Sequence, residues 1–212
     1  HPDVKVTITF VGTGLVNPAL VPALMAGQGP DIFTAGTGPG QPQAIIENGL
    51  VLDLTPYYYK YGWDKIIPEL VVDYTSSSGK LWAVGDSVET TAMFYNEAIF
   101  DKLGVSIPQS WSELEAIVTK AKAAGYDTPI GLGGADKWPI SHWQSMLFGR
   151  FAGPEGVDRV MFGDGRWDEP PFVEAMKVLQ AMARDGWFGP HPLAVGYSEV
   201  MDRFWRGEKS RS

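Results

Sequence analysis

The stretch FYNEAIFDKLGVSIPQSWSELEAI, residues 94–117, decides how the fold is interpreted. Asn96 follows an apolar strand and can cap a helix, because its side chain accepts a hydrogen bond from the free amides of a first turn. Gly104 lies where a left-handed residue commonly ends a helix. Pro108 excludes helix at the next few positions, and Ser110 then opens the S-x-x-E spacing of a capping box. The stretch therefore predicts a strand, a short helix, a proline turn and a long helix.

Strands and helices are predicted to alternate along the rest of the chain. Apolar runs and alternation favour strands at 4–10, 31–33, 81–84, 91–95 and 129–132. Helical spacing favours helices around Leu20–Leu24, Ile45–Ile46, Leu114–Ala121, after Trp138-Pro139, at Phe172–Ala183 and at Ser198–Arg206, with Gly49 and Gly125 as stops. Ser141 and Gln144 have capping-box spacing near the start of the fourth of these helices. The alternation predicts an α/β fold.

Composition excludes several classes of function. The 212 residues are 44% hydrophobic and 20% charged, which is enough apolar sequence to form a real core. The net charge is −8, and the sequence has no cluster of Lys and Arg that would bind nucleic acid. The absence of cysteine excludes disulfides, thiolate metal sites and cysteine nucleophiles. The three histidines, His1, His142 and His191, lack metal-ligand spacing, so we expect no metal and no cofactor. The start at His1-Pro2 favours a processed or cut N-terminus.

Five segments, in order, carry a resemblance to a known family. They are HPDVKV at 1–6, AGQGPDIF at 26–33, NGLVLDLT at 48–55, the stretch Thr91–Leu114, and Tyr197–Gly207. Together they resemble the sugar-binding, maltose-binding-protein-like family of extracellular solute-binding proteins of ABC importers. The resemblance covers essentially the whole chain.

The resemblance implies a periplasmic-binding-protein-like α/β fold with two lobes joined by a hinge in the type II arrangement, incomplete at both ends. Residues 1–91 would form an N-terminal lobe that lacks its first strand and helix. Residues 92–96 would be the hinge crossing, and residues 97–212 a truncated C-terminal lobe. The ligand would lie in the cleft between the lobes and be buried by closure about the hinge.

The same resemblance implies a function. The protein would bind a sugar or oligosaccharide and deliver it to the membrane permease of an ABC importer, as a monomer without enzymatic activity. It would act in the periplasm or outside the cell, and the complete protein could carry a lipid anchor.

The resemblance also points to ligand contacts in the first lobe. Glu89 matches by position a hinge-entry glutamate that contacts sugar in maltose-binding protein; the alternative is a solvated strand carboxylate. Thr37 and Gly38 lie in the loop after the Pro-Asp strand, where family members place ligand contacts, although the family's Asp-Arg pair is missing there. A plain glycine loop is the alternative. Gly12 lies in the stretch FVGTG, residues 10–14, which ends the first strand and could face the cleft.

Aromatic residues near a helix start would supply the contacts of the second lobe. Trp138, His142 and Trp143 occupy the place where the family's second lobe contributes aromatics, and flat rings suit the apolar faces of a pyranose. Core packing is the alternative for each. The run Tyr57–Tyr61 is interpreted instead as an amphipathic surface segment.

Two other classes of function stay open at this point, an enzyme and a binding protein for another solute. A glycosidase would need paired carboxylates, and nothing shows a second carboxylate held opposite Glu89 or Asp86. A serine hydrolase would need a G-x-S-x-G elbow, which the sequence lacks. A binding protein for another polar solute, such as a polyamine, fits the acidic balance, whereas the aromatic content favours sugar.

Overall fold

The computed structural model describes residues 2–9, 19–36, 42–85, 87 and 90–207. The chain divides into two compact units, His1–Glu89 and Thr90–Ser212. Helices make up most of the regular structure described in each unit. The role of residues 92–96 as a hinge stays a prediction.

Short helices and one hairpin make up the regular structure described for the first unit. They are α1 Leu20–Met25, α2 Gln43–Glu47, α3 Thr55–Lys60 and α4 Glu69–Thr75, with strands β1 Ser76–Ser77 and β2 Lys80–Leu81. The strands are antiparallel, and Ser76 lies opposite Leu81. Ser78 and Gly79 between them have φ angles of 53° and 72°, as the two central residues of a type I′ turn require.

Strand β2 is attached to the start of α3. The Leu54 amide donates to the carbonyl of Leu81 at 2.8 Å. In return the Leu81 amide donates to Oγ1 of Thr55 at 3.0 Å. The Asp53 carboxylate accepts from the Thr55 amide at 3.0 Å, which fixes the turn into the helix.

Most of the predicted strands are wrong as regular structure. Over the described residues, 4–9, 31–33, 82–84, 91–95 and 129–132 form no strand, and β2 covers only the first position of the predicted 81–84 run. Val4, Val6 and Ile8 alternate as predicted but are 63%, 74% and 71% exposed. Alternation indicates an extended chain with two unlike faces, whereas a strand also needs a hydrogen-bonded neighbour, which the pattern does not specify.

The second unit contains longer helices. They are α5 Glu97–Leu103, α6 Trp111–Ala123, α7 Trp138–Phe162, α8 Pro170–Arg184 and α9 Tyr197–Arg206. Helix α7 is broken at Gly153, whose φ of 70° and ψ of 170° are not helical, immediately before Pro154.

The predicted caps of α5 and α6 are confirmed. Asn96 accepts a hydrogen bond from the Ile99 amide, and Gly104 ends α5 with φ 60° and ψ 50°. Ser110 accepts from the Glu113 amide at 3.3 Å. The reciprocal bond of the capping box is displaced by one residue, because Glu113 accepts from the amide of Gln109 at 2.6 Å.

The predicted capping box at Ser141 and Gln144 is wrong. Helix α7 begins at Trp138, so Ser141 already lies within its first turn. The Ser141 hydroxyl donates back to the Trp138 carbonyl at 2.6 Å instead of accepting from an amide. The Pro139 ring suits the first turn of a helix, which places the helix start three residues before Ser141.

The core of the second unit lies between α6, α7 and α8. Its buried side chains are Val118, Leu132, Trp143, Leu147, Phe148, Phe172, Ala175, Leu179, Met182, Trp187 and Phe188. Phe172 and Leu179 belong to the predicted apolar face of α8, whereas Met176 is 39% exposed. The buried face of α8 is therefore turned slightly away from the predicted one.

Candidate functional site

The segment Gly131–Asp136 leads into α7 and passes beside the start of α9. The Gly134 amide donates to the carbonyl of Pro192 at 3.0 Å, and the Ala135 amide to that of Val195 at 3.1 Å. These two bonds attach the segment to the loop before α9. The starts of α7 and α9 are thereby brought together within the second unit.

Lys137 makes the turn from this segment into α7. Its φ of 65° and ψ of −48° lie in a region that residues with a Cβ rarely adopt. Such conformations cost about 1–3 kcal/mol and persist where the surrounding structure imposes them. Because Trp138 follows directly, this turn sets the direction in which its ring leaves the backbone.

Asp136 joins the segment to the first residue of α9. Its Oδ2 accepts a hydrogen bond from the Tyr197 amide at 2.6 Å. The residue before α9 is Gly196, which has no side chain to cap the helix. Asp136 therefore supplies the cap from another part of the chain, and its negative charge suits the positive end of the helix dipole.

Three aromatic side chains meet at these two helix starts. The ring of Trp138 lies 4.6 Å from that of Tyr197 and 5.1 Å from that of His142, at interplanar angles of 54° and 60°. Trp138 is 37% exposed and Tyr197 is 40% exposed, so their rings remain accessible. We call Trp138, His142 and Tyr197 the aromatic cluster.

The structure separates Trp143 from the aromatic cluster. Trp143 is 8% exposed and belongs to the core. Its ring makes an edge contact with Phe188 at 5.6 Å. This is the core packing that the sequence left open as the alternative for this residue.

Four predicted contacts, Glu89, Thr37, Gly38 and Gly12, lie outside the described residues. Their roles stay predictions.

Tyr197 and Asp136 are the residues of this site that the sequence did not identify. In the sequence, Tyr197 stands out only as the first residue of the family-like segment Tyr197–Gly207, 59 positions after Trp138. The pairing of the two helix starts is a tertiary contact and has no local signal.

The chemistry of the cluster is that of recognition. Tilted rings offer apolar faces, and the histidine nitrogens and the tyrosine hydroxyl can form hydrogen bonds with a polar ligand. Over the residues that the structure describes, no group of three or more His, Asp or Glu side chains could hold a metal ion. Nor is any helix of that part of the chain long and apolar enough to cross a membrane.

The chain is similar to several binding proteins. A probable sugar-binding periplasmic protein of Mesorhizobium japonicum is 32% identical over 108 residues, which are 50% of this chain and 25% of that protein. A Pyrococcus horikoshii protein named as an ABC transporter extracellular-binding protein is 24% identical over 98% of this chain and 47% of its own length. The chain thus spans about half the length of the longer-matching relative.

The structure is also similar to solved structures. A chitin oligosaccharide binding protein matches with a TM-score of 0.72 and 26% identity, over 90% of this chain and 47% of that chain. A protein solved in work on xylan utilization by the thermophilic bacterium Caldanaerobius polysaccharolyticus matches with a TM-score of 0.75 and 26% identity, over 91% and 48%. Over the matched residues, the chain therefore shares the fold of these binding proteins.

The family model described as bacterial extracellular solute-binding protein matches residues 1–210. Because this match spans almost all of the 212 residues, the chain belongs to the family of bacterial extracellular solute-binding proteins.

Proposed function

We propose that the protein to which this chain belongs binds a sugar or oligosaccharide and delivers it to an ABC importer. The observation that carries the proposal is the aromatic cluster, in which Trp138 and Tyr197 keep more than a third of their surface exposed. Exposed aromatic rings beside hydrogen-bonding groups suit a ligand that has apolar faces and hydroxyls. The sugar-binding names of the relatives support the same ligand class.

The ligand would lie between two lobes, residues 1–91 and 97–212, that are joined by a hinge crossing at 92–96. The fold of the structural relatives supports this arrangement. Closure about a few backbone positions would bury the ligand and exclude water.

Trp138, His142 and Tyr197 are the proposed contacts of the second lobe. Glu89 is the first-lobe contact on which the proposal depends most, because a carboxylate forms a stronger hydrogen bond to a sugar hydroxyl than a neutral acceptor does. Thr37, Gly38 and Gly12 complete the predicted set.

The proposed partner is the membrane permease of the importer, and the proposed location is the periplasm or the outside of the cell. The periplasmic and extracellular names of the relatives support this location. The family and the structural relatives are binding proteins, which supports a function without catalysis. We propose that the protein acts as a monomer.

Calorimetric titration of the full-length gene product tests the proposal. The probes are xylo-oligosaccharides and chitin oligosaccharides, with spermidine as the polyamine alternative. In the presence of a bound probe the melting temperature rises by mass action, so a thermal-shift screen selects the probe for titration.

A matched pair of tryptophan variants then locates the site. Trp138→Ala should weaken binding of the selected saccharide roughly tenfold, a loss of about 1.4 kcal/mol. Trp205→Ala should leave the affinity unchanged, because Trp205, which is 71% exposed, lies eight residues beyond Tyr197 on α9 and thus about 12 Å along the helix axis. Equal effects of the two variants, or binding of spermidine alone, would contradict the proposal.

A further inference from the structure

We propose that the segment Gly131–Asp136 positions the aromatic cluster by holding the first turn of α9, with Asp136 as the positioning residue. The inference concerns how Tyr197 is set against Trp138. Only its consequence for saccharide affinity rests on the proposed function.

Two glycines of the segment allow α9 to approach closely. A Cβ atom on Gly133 would lie 2.5 Å from Cα and 2.6 Å from the backbone nitrogen of Tyr197. A Cβ atom on Gly131 would lie 2.6 Å from a methyl group of Val200 one turn later. The obstacle at Gly133 is backbone and cannot rotate away, so any larger residue there must displace the start of α9.

Gly133 is needed for space and not for its backbone angles. Its φ of −79° is one that any residue adopts. Substitution by alanine therefore introduces a steric conflict without a backbone penalty. The effect of such a variant reports on the distance between the segment and Tyr197.

Asp136 fixes the direction of α9 as the glycines fix its distance. The Asp136 carboxylate accepts from the Tyr197 amide at 2.6 Å. Next in sequence, Lys137 is held with a positive φ of 65°, and Trp138 begins α7. Three successive residues thus connect the cap of one helix to the ring at the start of the other.

The consequence is an aromatic surface that is formed before a ligand arrives. The 4.6 Å separation of the Trp138 and Tyr197 rings is set by backbone contacts, so little freedom is lost on binding. Rigid placement of contact residues raises affinity by reducing this ordering cost. Loss of Asp136 should weaken saccharide binding without removing any group of the aromatic cluster.

Residue-resolved amide exchange by NMR, without any ligand, tests the positioning itself. The Tyr197 amide should be protected in the parent protein, and Asp136→Ala should reduce this protection about tenfold or more. Asp136→Asn keeps an oxygen acceptor and should restore most of it. Near-UV circular dichroism should change in Asp136→Ala and return toward the parent spectrum in Asp136→Asn, because it senses the packing of the tryptophan and tyrosine rings.

A pair of glycine variants tests the close approach of α9 to the segment Gly131–Asp136. Gly133→Ala should alter the same spectrum and lower the affinity for the saccharide selected by thermal shift about tenfold. Gly149→Ala is the control, because a Cβ there meets no atom within 4 Å. It should leave the spectrum and the affinity unchanged.

The outcomes separate this inference from the proposed function. If no saccharide binds but the exchange and dichroism results are as expected, the positioning holds and the sugar-binding proposal fails. If Asp136→Ala folds and the Tyr197 amide stays protected, the positioning inference is overturned. A Gly133→Ala protein with unchanged dichroism would overturn the role of the glycines, whether or not a saccharide binds.

Discussion

In the second unit, the side chain of Asn96 contacts the start of α5 and the last turn of α9. Its Oδ1 accepts from the Ile99 amide at 3.1 Å, which caps α5. Its Nδ2 donates to the carbonyl of Phe204 near the end of α9, at a longer distance of 3.5 Å. The cap should therefore account for most of what this side chain contributes to stability.

We predict that Asn96→Ala lowers the free energy of unfolding of the second unit by about 1 kcal/mol, the usual cost of losing such a cap. Asn96→Asp keeps the accepting oxygen and removes the donor, so it should cost less. Chemical unfolding of both variants measures the difference. Equal losses for Asn96→Asp and Asn96→Ala would show that the bond to Phe204, which both variants lack, matters more than the cap.

Caps such as this one were predictable from the sequence because both partners lie within one turn. Asn96 and Ser110 each accept from an amide three residues ahead, and Gly104 follows the last residue of its helix. The failure at Ser141 has an equally local cause, since Pro139 allowed α7 to begin earlier. None of these outcomes depends on the rest of the fold.

At the scale of elements, α8 contributes the deepest side chain of the core. Phe172 is 1% exposed and makes edge contacts with the rings of Phe148 at 5.0 Å and Trp167 at 5.2 Å. We predict that Phe172→Ala lowers the free energy of unfolding by about 3–5 kcal/mol, the range for removing a buried phenylalanine.

Met176 on the same helix is the control for this prediction. It is 39% exposed, so Met176→Ala should change the free energy of unfolding by less than about 1 kcal/mol. Chemical unfolding followed by near-UV circular dichroism compares the two variants. Similar losses would mean that the buried face of α8 includes Met176, as the sequence alone suggested.

The junction of α7 and α8 contains an ion pair that depends on pH. Arg159 donates to both carboxylate oxygens of Glu169, and the Arg166 amide donates to one of them at 2.9 Å. Arg159, and then the backbone amide of Arg166, hold the pKa of Glu169 below its ordinary value of 4.5. A lowered pKa gives stability that is present above pH 4.5 and is lost as the pH falls through the folded value.

We predict that Glu169→Gln lowers the melting temperature at pH 7 by about 1–2 °C, a small effect because the pair is exposed. The difference between parent and variant should shrink as the pH falls below 4.5 and through the lowered pKa of Glu169, because both proteins then carry an uncharged group at position 169. Glu174→Gln, which removes the exposed pair with Lys177 on the same helix, is the matched control and should change the pH 7 value less. A difference for Glu169→Gln that does not shrink as the pH is lowered would contradict the ion-pair explanation.

Helices were predictable as elements, whereas strands were not. A helix forms its hydrogen bonds within one segment, so spacing and caps were sufficient to predict α6 and α8. A strand depends on a neighbour elsewhere in the chain. The described hairpin formed instead at Ser76–Leu81, where Ser78 and Gly79 supply the turn, rather than along the alternating run at 4–9.

At the scale of the whole molecule, the candidate site also depends on contacts between distant parts of the chain, which the sequence pattern does not specify. The sequence predicted Trp138 and His142 because both lie at one helix start. It did not identify Tyr197, which begins α9 far along the chain. The Tyr197 amide donates to the carboxylate of Asp136, and this bond holds the start of α9 beside the start of α7. It could not separate Trp143 from its neighbours either, since burial depends on the packing of α7 against Phe188.

Burial differs strongly between the two units and predicts how they open. Over the described part of the first unit the buried side chains are those of Ile45, Thr75 and Leu81, and its helices have at most seven residues. The second unit has a contiguous core of eleven buried residues around α7 and α8. Local opening is easier where fewer apolar contacts must be broken, so the first unit should open more readily.

We predict that hydrogen exchange followed by mass spectrometry gives amide protection at least about tenfold higher in α8 than in α3, once intrinsic rates are corrected. These helices are a suitable pair because Thr55–Lys60 has no buried residue, whereas Pro170–Arg184 buries Phe172, Ala175, Leu179 and Met182. The control is Phe172→Ala, which should reduce protection in α8 and leave α3 unchanged if the units open separately. Equal protection of the two helices would contradict this prediction. A loss of protection in both helices on substitution of Phe172 would do so too, because it would show that the chain opens as one cooperative unit.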